Sequence, residues 1–115
     1  MDLNVKYSSK KVEKLCTNFK HARKKIGNKE AINLHKMINF ILNIDSIKDL
    51  RNMSKYRLHK LSGEKGTYSL SPGGAKMSIR VEVLFKDISS NIVYDISNID
   101  IIKIVSIEEV NNHYE

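Results

Sequence analysis

Apolar residues in this chain of 115 residues keep a three-or-four step in its first part and a step of two later on. That single change of period places two helices ahead of the main run of strands. Val12, Leu15, Cys16, Phe19, Ala22 and Ile26 form one stripe of an amphipathic helix, and Leu34, Met37, Ile38, Ile41 and Leu42 form a second. Gly27 and Asn28 separate them, glycine suiting a left-handed C-terminal position and Asn28 a cap for the second helix. The short break implies an antiparallel helical hairpin. Farther along, Met77, Ile79, Val81, Val83 and Phe85 alternate with Lys76, Ser78, Arg80, Glu82 and Lys86, which predicts a strand over 76–86 with one buried face.

Weaker signals fill in the rest. Residues 3–7 alternate as a short strand, and Ser8 or Ser9 can cap the first helix. Ser46 and Asp49 have capping-box-like spacing, predicting a helical turn over 45–50. Strands are expected over 56–61 and 67–71, with turns over 62–66 and at Pro72-Gly73-Gly74. Residues 87–98 read as a long connection. Residues 99–107 are rich in β-branched apolar side chains and read as a buried strand, with a tail after it. The expected fold class is α+β. It comprises a single domain over 1–115, with an N-terminal strand and a helical hairpin packed on a mostly antiparallel sheet of four to five strands.

Charge narrows the partners. The net charge is +7, but residues 1–65 carry sixteen Lys/Arg against six Asp/Glu, while residues 66–115 carry four against seven. A basic excess this concentrated fits a polyanion: nucleic acid, a ribosome surface, an acidic membrane or an acidic protein. A plainly solvated basic face is the alternative. One cysteine excludes an internal disulfide, and no Cys/His spacing suggests structural zinc. No signal-peptide pattern opens the chain, and the greasiest run, 37–44, is short and holds Asn39 and Asn43, so no membrane span and a cytoplasmic location are expected.

Tyr56-Arg57-Leu58-His59-Lys60-Leu61-Ser62-Gly63-Glu64-Lys65-Gly66 carries the most specific signal. Tyr68 and Ser69 come next, then Arg80 leading into Val81-Glu82-Val83-Leu84-Phe85, and an isoleucine-rich stretch before His113-Tyr114. This combination resembles HigB-type toxins of the RelE/ParE superfamily over roughly 55–115, with the helix pair alike in layout only. The resemblance implies a RelE-like fold and the toxin of a type II toxin–antitoxin system. It implies ribosome-dependent mRNA cleavage by attack of a 2′-hydroxyl on the adjacent phosphate, with no metal or other cofactor. It further implies a cognate antitoxin, usually with a helix-turn-helix domain, besides the ribosome and mRNA as partners.

Cleavage of that kind needs a proton acceptor, a proton donor and positive charge at the phosphate. His59 fits acid/base work, its plainer role being an exposed strand histidine bonded to a nearby carbonyl. Arg80 can grip a phosphate with its guanidinium, or simply pair with an acidic neighbour. His113 and Tyr114 are the tail candidates for proton transfer or base stacking, against a frayed terminus. Arg57, Lys60 and Lys65 are candidate phosphate contacts, against ordinary solvated side chains. Relatives carry a lysine where Ser62 stands, so Lys60 or Lys65 would replace it. They also commonly end in Tyr-His rather than His-Tyr, and their Gly63–Gly66 gap is one residue longer. His21 and His35 match no motif and are expected to be ordinary surface residues, and Cys16 is expected in the core. Two other functions remain open: a non-nucleolytic ParE-like toxin acting on DNA gyrase, and a basic RNA- or ribosome-binding module without catalysis.

Overall fold

The computed structural model describes residues 3–63, 65–74 and 79–112. Strand β1 (Asn4–Tyr7) leads into helices α1 (Lys10–Thr17), α2 (Phe19–Ile26), α3 (Asn28–Asn43) and α4 (Ile47–Asn52), followed by β2 (His59–Lys60), β3 (Tyr68–Leu70), β4 (Ile79–Lys86) and β5 (Ile104–Asn112). The strands form one mixed sheet in the order β1-β5-β4-β3-β2. Its β2–β5 part is antiparallel throughout, while β1 runs parallel to β5 with Val5 opposite Val105. The α+β class therefore holds, with four helices and five strands among the described residues.

The expected first helix is two. Asn18 takes an extended backbone, closes α1 with its own N–H, and its side chain accepts from the His21 N–H at 3.0 Å to cap α2. A short polar side chain that competes for backbone donors favours such a break. Ser9 caps α1 by accepting from Val12 at 3.2 Å, and Ser46 caps α4 by accepting from Lys48 at 3.1 Å. Asn28 does not cap α3; it is the first residue of that helix, and Gly27, with φ of 89°, takes the cap position without a side-chain bond.

The helices pack on one another and on the sheet. Val12, Leu15 and Cys16 of α1, Ala22 of α2, and Ala31, Leu34, Met37, Ile38 and Ile41 of α3 are buried. Leu42 departs from the expected stripe and is 56% exposed, and Phe19 is also on the surface. From the sheet, Ile79, Val81, Val83 and Phe85 of β4 meet this layer, joined by Tyr68, Leu70, Val105 and Ile107. At about 1.5–3 kcal/mol for each fully buried large side chain, this alternation on β4 commits one face of the sheet to the core.

Two strand boundaries differ from expectation. The stretch 56–61 is mostly not a strand: Ser54–Tyr56 is a 3-10 turn, Arg57 is left-handed at φ 53°, and only His59–Lys60 pair. Tyr56 is buried, and its carbonyl accepts from Ser71 at 2.8 Å, so core packing overrides the strand pattern there. Residues 75–78, including Lys76 and Met77 of the expected strand, lie outside the described residues. The second difference is at the end: Ile99–Ile101 form a 3-10 turn, and β5 continues through what read as the tail, to Asn112. A bulge makes that extension possible. Glu82 pairs Glu109 while Val83 pairs Ile107, leaving Glu108 as the extra residue.

Candidate functional site on the open face of the sheet

Side chains of directly paired residues share a face of the sheet. His59 pairs Ser69, Ser69 pairs Glu82, and Glu82 pairs Glu109. Arg80 lies two residues before Glu82 on β4 and opposite Asn111. All six therefore face away from the helices, because the intervening Val81 and Val83 face the core. His59 and Arg80 thus stand on the same side. Two strand spacings and two residues separate them, which places their Cα atoms about 12 Å apart.

His59 is exposed, and its Nδ1 lies 2.8 Å from the Arg57 carbonyl. A carbonyl only accepts, so in the neutral ring Nδ1 carries the proton and Nε2 keeps the lone pair. The left-handed turn at Arg57 aims that carbonyl back at the ring. Arg80 donates from Nη2 to Glu82 Oε2 at 3.2 Å, and Asn111 Nδ2 donates to the same oxygen at 3.0 Å. Both plain alternatives seen in the sequence are thus present: a carbonyl-bonded histidine and an acid-paired arginine. Neither removes the side chain from the shared face.

The same patch has a hydrogen-bonding deficit. Ser69 is fully buried, and among the described residues neither its hydroxyl nor the buried Arg80 Nε has a partner. Unsatisfied buried polar atoms are uncommon, and each calls for an explanation. The hydroxyl stands on β3, the strand between those of His59 and Arg80, and the Nε belongs to the Arg80 guanidinium itself.

A groove of about 710 Å³ crosses the open face beside this patch, its walls including Lys65, Thr67, Glu82, Leu84, Tyr94 and Glu109. Neither His59 nor Arg80 lines it. Gly66 shapes one wall: a Cβ there would stand 2.9 Å from Ile92 Cγ2 and from Tyr94 Cδ1, at a φ of 75°. Tyr68 fixes the same loop from behind, its hydroxyl donating to the Tyr94 carbonyl at 3.2 Å and accepting from the Ile96 N–H at 3.0 Å.

The remaining candidates separate. Lys65 is exposed on the groove, on the side of His59. Lys60 pairs Tyr68, which faces the core, so it projects to the opposite side of β2 from His59. There it helps to hold the Asp95 carboxyl below its usual range, after the larger effect of hydrogen bonds from Ser97. Arg57 is exposed, and its contribution is the carbonyl that holds His59. His113 and Tyr114 lie outside the described residues.

Sequence reasoning passed over Glu82, Asn111 and Ser69. The alternation on β4 already placed Glu82 beside Arg80, but Asn111 was hidden because its segment read as tail. The histidines set aside as surface are not idle either. His35 is half-buried, its Nε2 is 2.8 Å from the Leu15 carbonyl, and Phe19 meets it edge-on at 5.5 Å. Among the described residues no three His, Cys, Asp or Glu side chains form a metal-binding group, and no described helix is long and apolar enough to cross a membrane.

The basic excess is not on this face. Lys10, Lys11, Lys14, Lys20, Arg23, Lys24 and Lys25 are exposed on α1 and α2, whereas the open face carries Glu82, Glu108 and Glu109. No family model, curated protein or solved structure matches the chain.

Proposed function

We propose that this chain is a cytoplasmic, ribosome-dependent mRNA endoribonuclease, the HigB-type toxin of a type II toxin–antitoxin pair. The observation that carries the reading is the shared open face of His59 and Arg80, with the buried Ser69 hydroxyl on the strand between theirs and the Arg80 Nε both without a partner among the described residues. The order of strand, helices and antiparallel strands supports a RelE-like layout, as does β1 lying beside the last strand.

In this mechanism the His59 Nε2 accepts the proton of a ribose 2′-hydroxyl. The oxygen attacks the adjacent phosphorus, the bond from phosphorus to the 5′-oxygen breaks, and a 2′,3′-cyclic phosphate is left. Arg80 exchanges Glu82 for the phosphate oxygens as negative charge builds on them. By the resemblance, His113 or Tyr114 returns a proton to the departing 5′-oxygen. Lys65 steers the backbone along the groove, and the lysines of α1 and α2 attract the ribosome. An antitoxin holds the toxin inactive.

A second reading has its own observation. Arg80 is already paired with Glu82, and acids dominate its surroundings, as suits a basic RNA- or ribosome-binding module that cuts nothing. Controlled expression separates the two. Mapping mRNA 5′-ends in translating cells should give cuts at ribosomal A-site codons that vanish in His59→Ala. Intact mRNA with a bound ribosome overturns the ribonuclease, and intact mRNA with arrested replication points instead to a gyrase poison.

A further inference from the structure

A second cleft lies on the helix side of the molecule, where α1 and α2 approach the end of β5. Its volume is about 580 Å³. The rim is cationic: Lys10, Lys11, Lys14 and Lys25, with His21 among them. Among the described residues no acidic side chain lines it, and none of the four lysines makes an ion pair. The floor is aliphatic, made of Leu15, Ile26 and Val110. Burial and then the charges of Lys14, Lys25 and Lys24 lower the pKa of His21.

The strand edge beside the cleft is open. β1 ends its pairing with Tyr7 opposite Ile107, and Ser8 adds bonds to the Ile107 and Glu108 carbonyls. Beyond that, no described strand runs along this side of β5, although Val110 reaches into the cleft. An unpaired edge offers backbone donors and acceptors to an incoming extended chain.

We infer that this cleft docks an acidic segment of a partner protein, laid along the outer edge of β5 with one aliphatic side chain on the Leu15–Ile26–Val110 floor and its carboxylates on the lysine rim. Charge complementarity alone would admit RNA as well. The floor decides between them: it offers three aliphatic side chains, and the one aromatic ring in the lining is the His21 imidazole on the rim. Single-stranded RNA draws on stacking and leaves such a floor unused. An acidic peptide with a leucine uses rim, floor and edge together. The cleft stands on these observations whether or not the sheet's other face is catalytic.

Binding of the full chain to a labelled peptide with one leucine flanked by glutamates tests this. A control peptide replaces the leucine with serine, and a short oligouridylate is the RNA arm. The leucine peptide should bind about tenfold tighter than the serine one, the scale expected for burying one such side chain. Charge reversal in Lys14→Glu/Lys25→Glu should weaken it at least as much, and Ile26→Ser should remove the preference for leucine. In the unaltered protein, hydrogen exchange should slow at the amides of residues 109–111 when the peptide binds, a readout that needs no variant to fold. Equal affinity for the two peptides overturns the proposal. So does oligouridylate binding more tightly than the leucine peptide and losing affinity to the same reversals.

Discussion

If Arg80 grips the scissile phosphate, Glu82 is its competitor, and removing that charge should strengthen RNA binding. The Arg80–Glu82 pair is 3.2 Å long, and its side chains keep 30% and 21% of their exposure, so it is only moderately screened. A phosphate seated on the guanidinium would lie about 6 Å from the Glu82 carboxylate. With an effective dielectric of about 40 to 80, their repulsion is about 0.7–1.4 kcal/mol. Glu82→Gln removes it while leaving an oxygen for Asn111, and affinity should rise about 3- to 10-fold. The assay is fluorescence anisotropy with a short RNA made uncleavable by 2′-deoxy substitution, at fixed salt because the basic helices add a salt-dependent background. The gain should disappear in Arg80→Ala/Glu82→Gln. Unchanged or weaker binding by a folded Glu82→Gln protein refutes the role given to Arg80.

Two further outcomes rest on the packing. Tyr68→Phe strips one buried hydroxyl from the Tyr94 carbonyl and the Ile96 N–H. That should cost about 1–2 kcal/mol and lower the melting temperature by about 4–8 °C in a circular-dichroism melt, a drop under about 1 °C contradicting it. Burial pushes the Cys16 thiol up from 9.0 to about 12. Iodoacetamide should therefore modify the native protein about a thousandfold more slowly than the unfolded chain near pH 8, and equal rates would contradict this. The sign for stability agrees: the unfolded thiol ionises first, so this contribution is present below pH 9 and lost as pH rises through about 12.

The α+β class was legible because apolar periodicity reports burial directly. The β4 alternation placed Ile79, Val81, Val83 and Phe85 in the core and Arg80 outside it, as found. What periodicity misses is backbone chemistry that acts locally. Asn18 interrupts a continuous stripe by capping, and nothing in the spacing of Leu15, Cys16, Phe19 and Ala22 signals it. Arg57 turns left-handed so that Tyr56 can be buried, which shortens an expected six-residue strand to His59–Lys60. The bulge at Glu108 carries β5 on to Asn112, and so Asn111 joins the site. Of the candidates, His59 and Arg80 come to one face because strand parity governs them, and Lys65 joins them from the turn before β3, on the groove that Glu82 also lines. Lys60 is excluded by the same parity, through its pairing with Tyr68.

The claim that His59 and Arg80 serve one phosphate is tested most directly by a double-mutant cycle on mRNA cleavage in a reconstituted translation mixture. Groups that act as a unit are strongly non-additive. His59→Ala and Arg80→Ala should each slow cleavage by about 100-fold or more, the scale for a positioned acid/base or charge-stabilising group, and the double variant should be little slower than the worse of the two. Losses that multiply, or a single variant that cleaves at the rate of the unaltered protein, would show that the two side chains do not share a phosphate.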